Sequence, residues 1–503
     1  MAQSNHFQKQ AARRQLRRSQ ENSYAAFATG ASALITLILF LTSINLTDGG
    51  FHTTNLTVAA VYAAITLFTF LTWSKIKKDI LASGSPSRTT RILGVVLILT
   101  VLTGNIFCCL AGLQLIKKEK NLEYHIGIYM CVVDVLIIMV SMINVFKPYV
   151  ANGFFTGLGI MAIMLAIHLV SLVFVTRLVV GNSADKKVVP LALILIVTAI
   201  SGNLFALLLG LVLLRKSMNQ NAEVSVSWID VVRRLFRSQM AVLGAFVVVF
   251  LLAMSICSNL TFDYDIAVNN NYMAILQSPS LEFPFGTDDY GRCVFTRVIF
   301  GARISLVVGI GSSVISIIVG IVLGSFAGYY SSKVDNTIMR ILDIFMAIPG
   351  LLLPIAIITA FGTSTMNILI ALGVGAIPGY ARTIRASVMT QSGNEFVEAA
   401  RACGAKNGTI IFRHILPNSM APIIVRATLG IGSGVLAVSS LSYLGLGIEP
   451  HIPEWGNILR AGSTYLETNP HLAIYPGIAI IALVLSFNFL GDGLRDALDP
   501  KLK

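Results

Sequence analysis

The chain has 503 residues, of which 55% are hydrophobic and only 12% are charged, against about 25% charged in an average soluble domain. With a mean hydropathy of +0.78, this composition excludes a soluble globular protein and predicts an all-α integral membrane protein in contact with lipid. The formal charge of +13 comes from lysines and arginines at the ends of apolar runs. Such charges orient cytoplasmic loops, so we do not interpret them as a nucleic-acid surface.

Six apolar runs before residue 220 are long enough to cross a bilayer as helices. They cover about residues 24–44, 57–73, 92–116, 126–146, 154–176 and 188–214. The basic N-terminal segment, with Arg13, Arg14, Arg17 and Arg18, predicts a cytoplasmic N-terminus. Two loops, 117–125 and 177–187, carry lysines or arginines although alternation of the six spans places both outside.

These six spans contain an internal repeat. LTGNIFCCLAGLQLIKK at 102–118 matches ISGNLFALLLGLVLLRK at 200–216, an offset of 98 residues. Three spans per copy is an odd number, so the two copies are predicted to face opposite ways, as in transporters whose site lies between inverted repeats. A duplicated structural bundle predicts the same pattern, and we favour it because neither copy shows a proline-interrupted helix.

Four polar residues lie within these spans: Asp134, His168, Asn105 and Asn203, the last two at equivalent positions of the repeat. An ionisable side chain in the bilayer is energetically costly and indicates a functional site by default. A hydrogen-bonded pair that holds the bundle together explains the same residues, and both interpretations remain open.

Residues 217–239 are polar and end in an amphipathic stretch, which predicts an interfacial helix at 228–239. We place a domain boundary here, between an N-terminal membrane domain at 1–220 and a second domain at 221–503. Six further spans follow, so that about twelve transmembrane helices and two cytoplasmic termini are predicted. The later spans cover about residues 240–258, 304–328, 338–361, 366–385, 421–446 and 473–490.

A polar segment, SGNEFVEAARACGAKNGTIIFRHILPN at 392–418, separates two of these runs. Ser392 and Glu395 have the spacing of a capping box, which predicts a helix start. Gly404 can end that helix with a positive φ, and Asn407 can cap a second short helix. The segment therefore predicts two short helices joined by a sharp turn, a protrusion that fits a partner's groove.

The same segment resembles the EAA loop of ABC importer permeases, in the form found in the dipeptide/oligopeptide/nickel permease family (C-type membrane subunit). The resemblance implies a type I importer core of six spans, in which this loop couples the permease to the ATPase. It places the coupling role on Glu398, Ala399, Ala400, Arg401, Gly404, Ile415, Leu416 and Pro417.

A second part of the resemblance is FPFGTDDYGRC at 283–293, which is similar to the family's extracytoplasmic segment after its first span. It implies structural roles for Gly286, Thr287, Asp288, Gly291 and Arg292, while Cys293 stands where the family is expected to have Asp. SYLGLGI at 442–448, EWGNIL at 454–459 and the C-terminal FNFLGDGLRDALDPKLK also match. The spans before residue 220 have no counterpart in this resemblance.

The resemblance implies a permease subunit that imports di- and oligopeptides through the cytoplasmic membrane of a bacterium or archaeon. Its implied partners are a homologous second permease, two P-loop ATPase subunits and an extracytoplasmic substrate-binding protein. No glycine is followed by lysine in this chain, so it lacks the GxxxxGK[ST] loop; ATP and Mg²⁺ are expected on the partner subunits, and no catalytic residue, cofactor or metal is predicted here.

Other functions remain compatible with the sequence. The same machinery could import nickel chelates, glutathione or cationic peptides, and a sensor or regulatory protein could use the N-terminal bundle. A membrane-embedded enzyme using Asp134 and His168 is a further alternative, which no nucleophile or metal cluster supports.

Overall fold

The computed structural model describes residues 14–16, 19–44, 53–117, 121–147, 150–180, 183–184, 186–218 and 228–499. This part of the chain is helical except for loops and one pair of two-residue strands, Val179–Val180 and Ser183–Ala184. The predicted all-α class is therefore confirmed. The predicted basic residues Arg13, Arg17, Arg18, Lys118 and Lys120 lie outside the described residues, as does the boundary at residue 220.

The helices before residue 219 fall into two sets that follow each other along the chain at an offset of about 98 residues. The first contains α1 (Gln20–Thr42), α2 (Thr53–Ser83), α3 (Arg88–Ile98) and α4 (Ile106–Ile116). The second contains α5 (Leu122–Met142), α6 (Phe154–Leu178), α7 (Val189–Thr198) and α8 (Leu204–Met218). A 3-10 turn separates the last two helices of each copy, at Leu99–Thr103 and at Ala199–Ser201.

The third apolar run of each copy is a helical hairpin, and the prediction of a single span there is wrong. On one continuous helix Gly94 and Gly112 would lie about 27 Å apart, yet a Cβ on Gly94 would lie 3.0 Å from the Gly112 carbonyl oxygen. In the second copy a Cβ on Gly210 would lie 2.8 Å from the Ala192 carbonyl oxygen. The chain reverses at Gly104 and Gly202, whose φ angles of 76° and 86° suit glycine.

These hairpins change the expected topology. A hairpin returns to the side from which it enters, so each copy crosses the membrane twice and ends on the side where it begins. The odd number of crossings on which the inverted arrangement depended is not found. Lys117 then lies on the same side as Arg91 in the first copy, and Arg177 on the same side as Arg215 in the second. The alternation of six spans that placed loops 117–125 and 177–187 outside is therefore not found.

The C-terminal part continues with a short helix and the long helices of the second domain. They are α9 (Trp228–Leu235), α10 (Gln239–Thr261), α11 (Asp265–Val268), α12 (Val294–Tyr329), α13 (Ser332–Ala347), α14 (Leu352–Phe361) and α15 (Thr365–Ser392). Then come α16 (Glu395–Ala402), α17 (Asn407–Thr409), a π-helix at Ile410–Ile415, α18 (Leu416–Asn418), α19 (Met420–Tyr443), α20 (Trp455–Ser463) and α21 (His471–Leu498).

Nine helices of the described chain are long and apolar enough to span a membrane, and α13 with α14, bent by 83°, would form a tenth. Of the twelve predicted spans, nine are thus continuous helices, one is this bent pair and two are the hairpins. The count of twelve is therefore approximate, because hydropathy alone does not record a reversal or a bend within an apolar run.

The chain divides into two compact units, Met1–Ile128 and Tyr129–Lys503. In the first unit, Ile76, Leu97, Cys108 and Leu115 share a buried core. In the second, the repeat copy and the C-terminal helices belong together: a Cβ on Gly157 of α6 would overlap the backbone of Leu260 in α10.

The amphipathic helix α9 packs against protein. Val231 of α9 and Phe236, the residue that follows the helix, are buried, and the Phe236 ring lies 6.0 Å from the ring of Tyr129. The Arg234 guanidinium donates to the carbonyl oxygen of Ala497, at the end of α21, at 3.4 Å. Much of the face predicted to lie on lipid is therefore covered by this unit itself.

Candidate functional site

The turn after α16 is closed by two backbone hydrogen bonds. The Gly404 N–H donates to the Arg401 carbonyl oxygen at 3.0 Å, and the Ala405 N–H donates to the Ala400 carbonyl oxygen at 3.1 Å. This pair of bonds is the Schellman motif, which requires a left-handed residue after the helix. Gly404 supplies it with φ 79°, so the turn forms where the sequence predicts it.

The two short helices are anchored to the membrane helices by one face only. Val397 of α16 and Ile410 and Ile415 of the following segment are fully buried, together with Ile384 of α15 and Ile423 of α19. Val397 was not among the predicted residues, although an apolar side chain within a charged helix is the signal that could have identified it. The opposite face of α16 is left open.

The predicted coupling residues fall on both faces. Glu398, Ala399, Arg401, Gly404 and Pro417 are exposed, Ala400 and Leu416 are partly buried, and Ile415 is buried. The predicted capping box is wrong. Helix α15 continues to Ser392, whose hydroxyl donates to the Met389 carbonyl oxygen, and α16 begins after Asn394, which makes no side-chain cap bond.

Tyr329 connects this loop to α12. Its hydroxyl donates to Asn407 Oδ1 at 3.1 Å and accepts from Arg401 Nη2 at 3.3 Å. Both loop helices are therefore held at the end of α12. Sequence reasoning missed Tyr329 because it precedes the loop by more than sixty residues, and only the tertiary fold brings it there. The π-helix that follows is a geometry frequently found at functional sites.

The second group of predicted residues forms a compact knot before α12. Asp288 Oδ1 accepts from the backbone N–H groups of Tyr290 and Arg292, at 3.0 and 2.9 Å, and Oδ2 accepts from Arg292 Nε at 2.8 Å. Arg297 Nε lies 3.6 Å from the same oxygen. The Thr287 hydroxyl donates to the carbonyl oxygen of Ala274.

Two glycines allow close approach within this knot. A Cβ on Gly286 would lie 2.5 Å from the Gln277 carbonyl oxygen, and one on Gly291 would overlap the carbonyl of Asn271. Both glycines have positive φ, 76° and 74°. The five predicted residues of this segment are thus brought together by the fold, as parts of one buried structure.

The knot and the 392–418 loop lie at opposite ends of α12. This helix has 36 residues, which corresponds to a length of about 54 Å. Its first residue follows Cys293 in the knot and its last is Tyr329 at the loop. One continuous helix therefore links the two predicted sites mechanically.

Cys293 occupies the N-cap of α12 without a side-chain cap bond. Its sulfur accepts from the ammonium of Lys147 and from the hydroxyl of Thr296, each at 3.3 Å. Lys147 is buried, with 5% of its surface exposed, and its ammonium also donates to Thr296 Oγ1. At position 293, where the family is expected to have Asp, the chain thus has a thiol with a buried lysine beside it.

Replacing Cys293 by Asp is expected to raise the thermal stability of the protein. An Asp at the N-cap contributes about 1 kcal/mol, and its carboxylate would also face the Lys147 ammonium. Cys293→Ser is the matched control, since it offers a cap but no charge. Thermal unfolding of the detergent-purified variants measures the difference. A Cys293→Asp protein no more stable than Cys293→Ser would show that Lys147 does not interact with this position.

A buried glutamate caps α20 near the same end of the fold. Glu454 is fully buried and accepts from the Asn457 N–H at 3.1 Å and from the hydroxyls of Ser439 and Ser305 at 3.2 and 3.4 Å. Burial raises the pKa of Glu454 above its ordinary value, because the charged form loses its hydration. The EWGNIL motif identified the segment, but not this burial.

The stability of wild type is expected to fall as the pH rises, and Glu454→Gln is expected not to show this fall. Since the folded state holds the Glu454 proton more tightly than the unfolded chain, the free energy of unfolding falls between the ordinary glutamate pKa and the raised one. Gln keeps the acceptor oxygen without the charge. Fluorescence of the buried Trp455 during thermal unfolding at several pH values provides the measurement. A variant with the wild-type pH dependence would contradict this assignment.

The intramembrane polar residues are also placed by the fold. Asp134, His168 and Asn203 meet in the second unit, where His168 Nδ1 lies 2.5 Å from Asp134 Oδ2 and Asn203 Nδ2 donates to Asp134 Oδ1 at 2.9 Å. Asn105 lies in the first unit and donates to Ser32 Oγ at 2.9 Å. Within the described residues, no group of three or more His, Cys, Asp or Glu side chains is arranged to hold a metal ion.

Comparisons with known proteins identify the C-terminal part. Residues 320–503 match the family model of a binding-protein-dependent transport system inner membrane component. Residues 227–279 match the N-terminal TM domain of oligopeptide transport permease C. Both matched ranges begin at or after residue 227, close to the predicted domain boundary.

Individual relatives agree with these models. The dipeptide transport system permease protein DppC of Alkalihalophilus pseudofirmus is 44% identical over 276 residues, which are 55% of this chain and 90% of that protein. The glutathione transport system permease protein GsiD of Pectobacterium atrosepticum is 40% identical over 284 residues, 56% of this chain and 94% of that protein. GsiD of Escherichia coli is 41% identical over 281 residues, with coverages of 56% and 93%.

A solved chain of the MetNI methionine ABC transporter is 20% identical, covering 40% of this chain and 97% of that one with a TM-score of 0.35, a similarity too low to assign a fold. The sequence relatives are decisive, because they are covered almost completely at 40–44% identity. The chain belongs to the family of inner-membrane permease subunits of binding-protein-dependent ABC transport systems, which confirms the resemblance of its motifs.

Proposed function

We propose that this chain is the C-type permease of an importer for di- and oligopeptides, driven by ATPase subunits that dock on α16 and the turn at Gly404. The observation that carries this proposal is the exposed face of α16, which presents Glu398, Ala399 and Arg401 while its other face is packed on the membrane helices. Small exposed side chains allow a partner's groove to approach the backbone closely.

In this mechanism the ATPases move the loop, and the loop moves α12. Closure of the ATPase pair on ATP displaces α16, and the contacts of Arg401 and Asn407 with Tyr329 pass the displacement to α12. The helices then alternate between inward and outward access. The nucleotide and the substrate bias one bistable element from two separate sites, which is allostery in the strict sense.

The proposed assembly includes a homologous second permease, two P-loop ATPases that bind ATP and Mg²⁺, and an extracytoplasmic substrate-binding protein. Helix α13 supports the second permease, since Ile341, Ile344, Phe345 and Met346 are all exposed. Asp343 on the same helix accepts from Arg382 of α15. The proposal places both termini and the 392–418 loop in the cytoplasm, in agreement with the basic residues Arg340 and Arg495.

Affinity purification of the tagged chain in mild detergent, followed by mass spectrometry and an ATPase assay, tests the assembly. Recovery of a second permease and P-loop ATPases is expected from wild type. Their loss is expected when Glu398 is replaced by Lys, which reverses the charge on the exposed face. A chain that purifies without ATPases, even after crosslinking through the exposed Cys403, would contradict the proposal.

A second substrate class, glutathione, is favoured by the GsiD relatives at 40–41% identity. Uptake of a labelled dipeptide in competition with oligopeptides, glutathione, nickel chelates and cationic peptides distinguishes these classes. Competition by peptides alone supports the proposed substrate. Competition by glutathione alone would identify glutathione, and not di- and oligopeptides, as the substrate.

A sensor or regulatory function of the N-terminal bundle is tested by deletion. Because residues 129–218 belong to the compact unit of the permease helices, removal of 1–128 and removal of 1–220 are distinct experiments. Unchanged uptake after removal of 1–128 would make the first copy and the first two turns of α5 accessory. Loss of uptake only after removal of 1–220 would assign the function of the bundle to the second copy.

A further inference from the structure

The second copy of the repeat holds an ionisable pair inside the membrane. Asp134 on α5 and His168 on α6 lie 2.5 Å apart, and their side chains are 8% and 0% exposed. Neither helix carries another charged residue within two turns of the pair. Burial of such groups in a bilayer is costly, so the pair requires an explanation.

The hydrogen bonds around the pair locate one proton. The Thr198 hydroxyl oxygen lies 3.0 Å from the Leu195 carbonyl oxygen and 2.9 Å from His168 Nε2. The tautomer that carries a hydrogen on Nε2 donates it to Thr198, whose hydroxyl then donates to Leu195. Asp134 Oδ1 accepts from Asn203, so a single proton lies between His168 Nδ1 and Asp134 Oδ2. In this tautomer the pair is neutral with the shared proton, and without it a carboxylate faces an imidazole lone pair.

The first copy shows that the hairpin does not need these charges. At an offset of 98, Thr36 and Phe70 occupy the positions of Asp134 and His168. There Asn105 donates to Ser32 at 2.9 Å, and Ser32 and Thr36 share hydrogen bonds with Thr66 at 2.7 and 3.0 Å. Neutral groups thus hold the same arrangement together, and the ionisable pair is specific to the copy that belongs to the permease unit.

The second copy also retains unused hydrogen-bonding capacity. Asn105 Oδ1 accepts from the Cys108 N–H at 3.2 Å, whereas its counterpart Asn203 Oδ1 is buried without a partner, as is Ser171 Oγ, one turn along α6 from His168. Leaving a buried polar atom unsatisfied costs about 1–3 kcal/mol. Such atoms beside a titratable pair can stabilise a second arrangement of the network.

The pair is connected to the first permease helix through the reversal of the hairpin. A Cβ on Gly202 would lie 2.8 Å from Ala253 Cα on α10, and Cys257 Sγ donates to the Ser201 carbonyl oxygen at 3.5 Å. Asn203, which holds Asp134, follows directly. A change in the charge of Asp134 therefore acts on the residues that contact α10.

We propose that Asp134 and His168 form an intramembrane proton-binding site, whose occupancy sets the packing of the α7–α8 hairpin on α10. Loss of the proton makes the carboxylate and the imidazole repel, and the freed carboxylate recruits the polar groups at Ser201–Asn203. The other titratable groups that face the pair are the thiols of Cys131 on α5 and Cys257 on α10. The remaining cations of α6–α8 lie near the helix ends: Arg177, Arg215 and Lys216.

Nuclear magnetic resonance of the full-length chain in lipid nanodiscs, with ¹⁵N-labelled histidine, tests proton binding directly. His168→Phe identifies the His168 signals. A transition of His168 with pH is expected, and it should shift in Asp134→Asn, which keeps the shape and hydrogen bonds but cannot share the proton. A His168 signal constant over the whole pH range in which the chain stays folded, or a transition unaltered by Asp134→Asn, would overturn the proposal.

The effect on the permease is tested with the residues of the first copy. Asp134→Thr/His168→Phe in the purified transport complex should lose one transition from the pH profile of its ATPase activity. The matched control Thr36→Val, in the first copy, should retain the transition. Superimposable profiles of wild type and double variant would overturn the link to α10. This second measurement depends on the proposed importer function, whereas the resonance measurement does not, so the two failures are distinguishable.

If the double variant does not assemble, Asp134→Asn replaces it in the ATPase measurement, with the same expected loss.

Discussion

Replacing Gly404 by valine is expected to uncouple uptake from ATP hydrolysis. The φ of 79° is strained for a β-branched residue, at a cost of roughly 1–3 kcal/mol. Since a Cβ there would meet no atom within 4 Å, the whole cost falls on the backbone turn and its two hydrogen bonds. This strain disfavours the native angle between α16 and the following helix relative to other arrangements of the turn. Because about 1.4 kcal/mol changes such an equilibrium by a factor of about ten, uptake should fall by about tenfold or more.

Two substitutions serve as controls for this effect. Gly404→Asn should retain uptake, since asparagine tolerates the left-handed conformation. Gly408→Val adds the same side chain to the loop where a Cβ is equally unobstructed and no positive φ is required. Uptake and ATPase rates of the reconstituted complex are compared. Wild-type uptake by Gly404→Val, or an equal loss in Gly408→Val, would show that the turn geometry does not carry the coupling.

Replacing Asp288 by asparagine is expected to destabilise the folded permease by about 3–5 kcal/mol, the usual effect of removing one partner from a buried ion pair. Arg292 and Arg297 are 7% and 1% exposed, and both would lose their shared carboxylate. Asn retains the oxygen that accepts from the Tyr290 and Arg292 N–H groups, so the effect isolates the charge. The knot at the start of α12 should therefore unfold at a lower temperature.

The matched control is Asp265→Asn, which removes an exposed carboxylate of the same region and should change stability by no more than about 0.5 kcal/mol. Thermal unfolding followed by tryptophan fluorescence, together with the yield of purified protein, measures both variants. Equal stability of Asp288→Asn and wild type would mean that the carboxylate of Asp289 replaces the lost charge.

The residues by themselves indicated the class and the family, and they marked two segments as candidate sites. Apolar runs reveal membrane helices because every backbone polar group in lipid must be satisfied within the helix. The turn at Gly404 was predictable because its determinants, a helix end and a left-handed glycine, are local in sequence. The repeat was likewise visible as an offset of 98 residues, and the structure has corresponding helices at that offset.

Contacts distant in sequence decided the rest. Hydropathy does not distinguish one long helix from two short antiparallel ones, so the close approach of Gly94 and Gly112, with the reversal at Gly104, appeared only in the fold. Tyr329 likewise reaches the 392–418 loop, and Lys147 reaches Cys293, from distant positions in the sequence. The same is true of Asp134 and His168. Each stands out in the sequence as an ionisable residue in an apolar run. Only the packing of α5 against α6 brings them within the few ångströms that a shared proton requires.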